Sequence, residues 1–120
     1  MDNHQFIIVQ GSTPTLELVF SFDVDVDDVV YVTFSQHDAN VLEYTMNGTV
    51  SPAYIAGTGT LEIDTGDSSV MLLTMTQADT LGLTPGDVEL QVRVKTADGA
   101  DTFFPLVGEV VRSHKTGVIT

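Results

Sequence analysis

The sequence has no cysteine, and only four of its 120 residues are lysine or arginine. Without cysteine, the chain can form neither disulfide bonds nor thiolate metal sites, and it has no cysteine nucleophile. It contains 17 acidic residues and has a formal net charge of −13. Binding to a nucleic-acid backbone or to an anionic membrane surface needs clustered Lys and Arg. We therefore expect a partner that is neither a nucleic acid nor a membrane.

Long apolar runs are also missing. No segment approaches the roughly 20 apolar residues that a membrane-spanning helix needs. The first residues, MDNHQF, lack the basic and apolar regions of a signal peptide. We therefore expect synthesis in the cytoplasm. The length, with 42% hydrophobic residues, predicts a single domain over residues 1–120 with one core.

The clearest strand pattern lies in the segment Asp87–Phe104, which reads DVELQVRVKTADGADTFF. Apolar and polar residues alternate strictly, which is typical of a half-buried strand. The apolar face consists of Val88, Leu90, Val92 and Val94. Asp98-Gly99 then supplies a turn dipeptide that tolerates positive φ. A second strand is predicted within Phe103–Arg112, and Pro105 places its beginning at a sheet edge or at a strand start.

Similar patterns predict strands over most of the remaining chain. They cover Phe6–Val9, Leu16–Phe22, Val29–Ser35, Val41–Met46, Leu61–Ile63 and Val70–Met75. The last of these is apolar on both faces, so we expect it to be a central strand or to be covered on both sides. The alternation that begins at Leu16 continues to Val26, but we expect pairing to stop near Phe22 because strands are seldom so long.

Two local signals complete the secondary-structure prediction. Asn47-Gly48 predicts a hairpin turn. Thr76 and Asp79 have capping-box spacing, which predicts a short helical turn with Leu81 packed beneath it and an end at Gly82. Seven or eight short strands with one such turn predict an all-β, antiparallel two-sheet sandwich. A small barrel is the alternative.

The acidic segment Asp23–Asp28 is the sharpest local cluster. Aspartates at alternate positions offer oxygen ligands to Ca²⁺. An EF-hand is excluded because its sixth position is Asp28 instead of Gly, and its twelfth is Phe34 instead of Glu. One interpretation is a solvated loop that stops strand pairing. The other is that this loop is the site of a small ligand-binding module for calcium or a glycan.

No pattern predicts catalysis, a cofactor or a metal centre. His4, His37 and His114 have no metal-ligand spacing. The sequence contains no nucleophile-elbow motif. Gly57-Thr58-Gly59 lacks the further glycine and the following helix of a phosphate-binding loop. We therefore expect a protein that is not an enzyme.

The basic residues are confined to the last part of the chain. They are Arg93, Lys95, Arg112 and Lys115, whereas 14 of the 17 acidic residues precede them. A basic rim on an acidic molecule is self-complementary, and charge of this kind guides the orientation of association. This predicts a protein interface at these four residues and a homo-oligomer. The alternative is pairing with Glu89 and Glu109 within one sheet, worth roughly 0.3–1 kcal/mol for each pair.

Several segments together resemble a known group of proteins. They are Gln10–Thr15, Val30–Gln36, Leu73–Leu81, Gly86–Arg93 and Gly117–Ile119. The chain resembles small structural proteins encoded among the tail genes of phages and prophages. It is also similar to the immunoglobulin-like N-terminal domain of phage baseplate upper proteins.

This resemblance implies both a fold and a function. The implied fold is an antiparallel immunoglobulin-like β-sandwich of seven or eight strands with one short helical turn. The implied role is that of a virion structural or assembly protein in the tail, baseplate or neck. Such a protein is made in the cytoplasm of the bacterial host and contacts other virion proteins. The resemblance brings no catalytic residues with it.

Overall fold

The alternating segments of the sequence form the strands of the protein. The computed structural model describes residues 5–37, 39–96, 99 and 101–112. The strands in this part of the chain are β1 (Phe6–Val9), β2 (Thr15–Val19), β3 (Val29–Gln36), β4 (Ala39–Met46), β5 (Ile55–Ala56), β6 (Thr60–Asp64), β7 (Asp67–Thr74), β8 (Gly86–Lys95) and β9 (Asp101–Val111). The helix α1 covers Gln77–Leu81. No helix in these ranges is long and apolar enough to cross a membrane.

The strands form two sheets. The large sheet has the order β1-β9-β8-β3-β4-β5, and the small sheet has the order β2-β7-β6. This is the arrangement of a variable-type immunoglobulin sandwich, in which two extra strands extend the large sheet beside the third strand of the chain. The predicted fold class is therefore confirmed. The described residues form nine strands, one more than the seven or eight predicted, and the additional strand is the two-residue β5. The pairs β1–β9 and β4–β5 are parallel, whereas the other pairs are antiparallel.

The core lies between the two sheets. The predicted inward face of β8 is confirmed, since Val88, Leu90, Val92 and Val94 are at most 1% exposed. Immunoglobulin domains commonly fill this space with a disulfide and a tryptophan. This chain has neither. Large apolar side chains occupy the space instead, and among the fully buried ones are Phe34, Leu18, Met71, Leu73 and Met75.

The strand that is apolar on both faces, β7, is the central strand of the small sheet, as predicted. Its neighbour β2 ends at Val19, before the predicted limit at Phe22. Phe20 and Val24 are nevertheless buried. The backbone N–H of Phe20 donates to the carbonyl oxygen of Ser69, and that of Val24 donates to the carbonyl oxygen of Ser68. The alternation thus continues past the strand because the chain still lies on the core.

The expected hairpin at Asn47-Gly48 was wrong. The chain does not turn back there, and the next strand, β5, runs parallel to β4. Asn47 does adopt a positive φ of 64°. Its side-chain amide donates to the backbone oxygens of Val26 and Asp28, at 2.6 and 2.9 Å. The residue therefore serves a contact between loops instead of a hairpin.

Two smaller predictions had different outcomes. Leu81 does not pack beneath α1, since it is 38% exposed, whereas Leu83 is buried in its place. The edge predicted at Pro105 is confirmed. Within the described strands, β1 pairs only with residues 108–111 of β9. At Pro105, β9 is therefore paired with β8 on one side and is an edge on the other.

Candidate functional site

The basic residues predicted to form an interface are not all close together. Arg93 and Lys95 lie on the outer face of β8, near its end. Arg112 follows β9 and lies beyond the beginning of β8, because Val110 pairs with Gly86. It is nine residues along β9 from the partner of Arg93, a span of roughly 30 Å. The structure thus brings Arg93 and Lys95 together and leaves Arg112 at the opposite end, while Lys115 lies outside the described residues.

Arg93 and Lys95 line a groove on the outer face of the large sheet. The groove has a volume of about 400 Å³, which is in the range of ligand-binding clefts. Strands β3, β4 and β8 form its floor, and the segment after β4 forms one wall. Its lining residues are Tyr31, Thr33, Glu43, Thr49, Ser51, Tyr54, Gln91, Arg93 and Lys95.

Strand register assembles the floor of this groove. Tyr31 on β3 lies directly opposite Arg93 on β8, and Thr33 lies opposite Gln91. On its other side, Thr33 lies opposite Glu43 of β4. These side chains share a face because the alternate residues of each strand point into the core. The inward alternation that makes the core therefore also makes the groove.

The wall is fixed to the floor by specific contacts. The backbone N–H of Ser51 donates to the Glu43 carboxylate at 2.9 Å, and Glu43 is only 5% exposed. Gly48 lies against Tyr31, because a Cβ there would be 2.8 Å from the Tyr31 hydroxyl oxygen. A side chain at position 48 would also meet the Thr45 hydroxyl, so both Thr45 and Tyr31 would have to move. The wall thus depends on a glycine and on a buried carboxylate.

The chemistry of the groove suits recognition of a partner that carries carboxylates. Tyr31 and Tyr54 offer aromatic surface with a polar end. The Arg93 guanidinium offers several donors in a fixed geometry. Lys95 is exposed and adds a second positive charge. Tyrosine and arginine are the types that most often dominate binding energy at protein interfaces.

The Asp23–Asp28 loop uses its carboxylates to hold its own backbone. The Asp28 carboxylate accepts from the backbone N–H of Asp25 at 2.9 Å. The Asp25 carboxylate accepts from the backbone N–H of Asp27 at 3.0 Å. In the described part of the chain, no group of three or more His, Asp or Glu residues is placed to hold a metal ion.

A buried acidic centre at Asp79 was missed by the sequence analysis. Asp79 is 6% exposed. Its carboxylate accepts hydrogen bonds from the Tyr44 hydroxyl, from the backbone N–H and hydroxyl of Thr58, and from the backbone N–H of Gly59. The Thr58 donors lie 3.0 Å and the Gly59 donor 3.1 Å from the carboxylate oxygens.

The sequence contained both halves of this centre. Thr76 caps α1 as predicted, since its hydroxyl accepts from the backbone N–H of Asp79 at 3.3 Å. Gly57-Thr58-Gly59 had been considered only as a phosphate loop. The backbone N–H groups of Thr58 and Gly59 do bind an anion, but that anion is the side chain of Asp79. The pairing joins segments about 20 residues apart, so no local motif reports it.

The two acidic groups of this centre influence each other. Burial raises the pKa of the Tyr44 hydroxyl, and its hydrogen bond to Asp79 and the negative charge of Asp79 raise it further. Burial also opposes the ionisation of Asp79. The hydrogen bonds from Tyr44, Thr58 and Gly59 outweigh burial, so the pKa of Asp79 lies below its usual range.

This lowered pKa predicts a pH dependence of stability. An Asp has a pKa of about 3.9 in the unfolded chain. The stabilisation by ionised Asp79 is therefore complete above about pH 3.9 and is lost as the pH falls through the folded-state pKa. Thermal melts of wild type and Asp79→Asn should be recorded from neutral to acidic pH. The difference between their melting temperatures should be largest near neutral pH and should shrink as the pH falls. A difference that does not change with pH would contradict this assignment.

Comparisons with known proteins give no family. Neither the family profiles nor the curated proteins contain a match to this chain. Among solved structures, the chain is similar to the first immunoglobulin-like domain of human CD48 antigen, with 14% sequence identity and a TM-score of 0.41. That alignment covers 100% of this chain and 93% of the other. The protein is an immunoglobulin-like β-sandwich with an aromatic and basic groove on its large sheet.

Proposed function

We propose that the protein is a structural or assembly component of a phage or prophage virion, in the tail, baseplate or neck. It acts through protein–protein contacts and not through catalysis. It is made in the cytoplasm of the bacterial host and becomes part of the particle, where it contacts other virion proteins and copies of itself. The resemblance of five sequence segments to phage tail-region proteins supports the setting, and the groove supports the mode of action.

The observation that carries this proposal is the composition of the groove. Tyr31 and Arg93 face each other across two paired strands, so their backbones are held by the sheet before any partner arrives. The sheet thus fixes the positions from which both side chains reach a partner, and a backbone that is already ordered lowers the ordering cost of binding. A partner therefore gains contact area at a low entropic cost.

Charge defines the kind of surface that fits the groove. Arg93 and Lys95 lie on a molecule whose formal net charge is −13. A surface with carboxylates is attracted to this groove and repelled by the acidic remainder of the molecule. Such an arrangement fixes the orientation of docking and speeds encounter at low salt.

Reversing both charges in the groove tests this proposal. We expect the double variant Arg93→Glu with Lys95→Glu to weaken assembly by at least about tenfold, since like charges placed together at an interface cost several kcal/mol. The fold should persist, because both side chains project from the outer face of β8. Light scattering at several protein and salt concentrations measures assembly, and circular dichroism checks the fold.

The matched control is Arg112→Glu. It makes one basic-to-acidic substitution, half the change of charge of the double variant, at the far end of the β8–β9 pair, away from the groove. Assembly should be retained in this variant. Incorporation into purified particles, measured by mass spectrometry, tests the virion role. A protein that is absent from those particles and stays monomeric at every concentration would contradict the proposal.

A further inference from the structure

An exposed apolar side chain lies in the turn that directly precedes β3, one of the strands that form the floor of the groove. Val26 is 72% exposed. Asp25 and Asp27 flank it in sequence, and both are exposed. We call residues 25–28 the acidic turn. An isolated exposed valine is ordinary on a protein surface, so its meaning depends on how the turn is held and on what lies beside it.

The acidic turn is held by its own hydrogen bonds and by a neighbouring loop. Within the turn, Asp25 and Asp28 are bonded twice, through the Asp25 N–H to the Asp28 carboxylate and through the Asp28 N–H to the Asp25 carbonyl. From outside, the Asn47 side chain donates to the backbone oxygens of Val26 and Asp28. Val26 is therefore presented by a defined backbone.

The acidic turn lies at one end of the groove. Val29 follows it directly and pairs with Lys95, which lines the groove. Asn47, which holds the turn, precedes Gly48, and Gly48 lies against the hydroxyl of Tyr31. An acidic, apolar projection thus stands next to a basic, aromatic recess.

We propose that the occupant of the groove is the acidic turn of a second copy of this chain, in a two-fold symmetric dimer. Each copy places Val26 against the tyrosines of the other groove, and Asp25 and Asp27 face Arg93 and Lys95. Because projection and recess are neighbours, one two-fold axis between them satisfies both contacts at once. This inference rests on the proposed function, since it names the partner of the groove.

A charge exchange between two variants tests the pairing directly. Asp27 takes part in the turn through its backbone N–H, so Asp27→Lys retains the turn. We expect Asp27→Lys alone and Lys95→Glu alone to raise the dimer dissociation constant by at least about tenfold. In an equimolar mixture, each heterodimer contact again joins opposite charges. Native mass spectrometry should therefore detect the heterodimer in excess of both homodimers.

Removal of the apolar contact gives a second measurement. Val26→Ser should raise the dissociation constant by more than about tenfold, because each of the two symmetric contacts loses roughly the transfer free energy of a buried valine side chain. The matched control is Val19→Ser on β2, where the valine is 68% exposed and lies outside the groove. This control should leave the dissociation constant unchanged.

The inference is overturned if wild type is monomeric at a protein concentration of about 1 mM, or if the two charge variants stay monomeric when mixed. Equal effects of the Val26 and Val19 changes would also overturn it. None of these results tests the virion role, which is tested separately by incorporation of the protein into purified particles. Conversely, a dimer that is absent from particles would retain the pairing and reject the virion role.

Discussion

Replacing Asp79 by alanine is expected to lower the free energy of unfolding by about 3 kcal/mol, because buried donors that lose a charged acceptor cost roughly 1–3 kcal/mol each and do not add fully. The donors left behind are the Tyr44 hydroxyl and the backbone N–H groups of Thr58 and Gly59. For a domain of this size, that loss corresponds to a fall in melting temperature of about 12 °C. Thermal and urea denaturation followed by circular dichroism measure it.

Two further variants separate the hydrogen bonds from the loss of a negative charge. Glu62→Gln removes one charge from an exposed residue of β6, and its effect should stay within about 0.5 kcal/mol. Tyr44→Phe removes one donor and leaves the other contacts of Asp79, so it should cost less than Asp79→Ala. If Glu62→Gln and Asp79→Ala lower the melting temperature equally, Asp79 acts only through net charge.

The Asp79 centre is also connected to the wall of the groove. Tyr44 lies on β4 next to Glu43, whose carboxylate fixes the wall at Ser51. The backbone N–H of Gly57 donates to the Glu43 carbonyl at 2.9 Å, and Thr58 follows it into the contact with Asp79. The wall segment is therefore anchored at both of its ends. Loss of Asp79 should loosen the wall as well as lower stability.

The core faces could be predicted from the sequence because burial acts at a fixed period. Residues such as Val30 and Val92 are apolar because every second side chain of a strand enters the core, and the period of two is visible without a structure. The same reasoning predicted that the double-faced strand β7 is central or covered on both sides, and it is central. Fold class followed from the number and spacing of such segments.

Partner choice between strands could not be predicted from local signals. Asn47-Gly48 has the composition of a hairpin turn, and Asn47 has the positive φ that such a turn uses. Asn47 therefore has a backbone conformation that suits such a turn, but the dipeptide does not form a hairpin. Hydrogen bonds from the Asn47 side chain hold the loop after β4 against the acidic turn. These bonds join residues about 20 positions apart in the sequence.

The groove was half predicted for the same reason. Alternation placed Arg93 and Lys95 on an outer face, because that follows from β8 alone. Tyr31 and Glu43 joined them only through the register of β8 on β3 and of β3 on β4. Arg112 was grouped with them by charge, although the register carries it to the other end of the strand pair. The sequence shows which residues are charged, but the pairing of β8 with β9 sets the distance between Arg93 and Arg112.

Replacing Gly59 by alanine is the second change expected to have a large effect, again about 3 kcal/mol or more, at the upper end of the cost of overpacking. Gly59 directly precedes β6 and lies over the end of β7. A Cβ there would collide with the carbonyl oxygen of Thr74 and would lie 3.1 Å from the Cα of Met75. Both are backbone atoms, one at the end of the central strand β7 and one directly after it, so neither can move as a flexible side chain can.

Gly66→Ala is the matched control for this prediction. Gly66 lies in the turn between β6 and β7, and a Cβ there has no atom within 4 Å. Its effect should be within about 0.5 kcal/mol, and a small gain is expected because alanine restricts the unfolded chain. Equal melting temperatures for the two variants would show that β6 can move away from β7 without loss. A large fall for Gly59→Ala alone would show that the close approach of Gly59 to the backbone at Thr74 and Met75 is needed for stability.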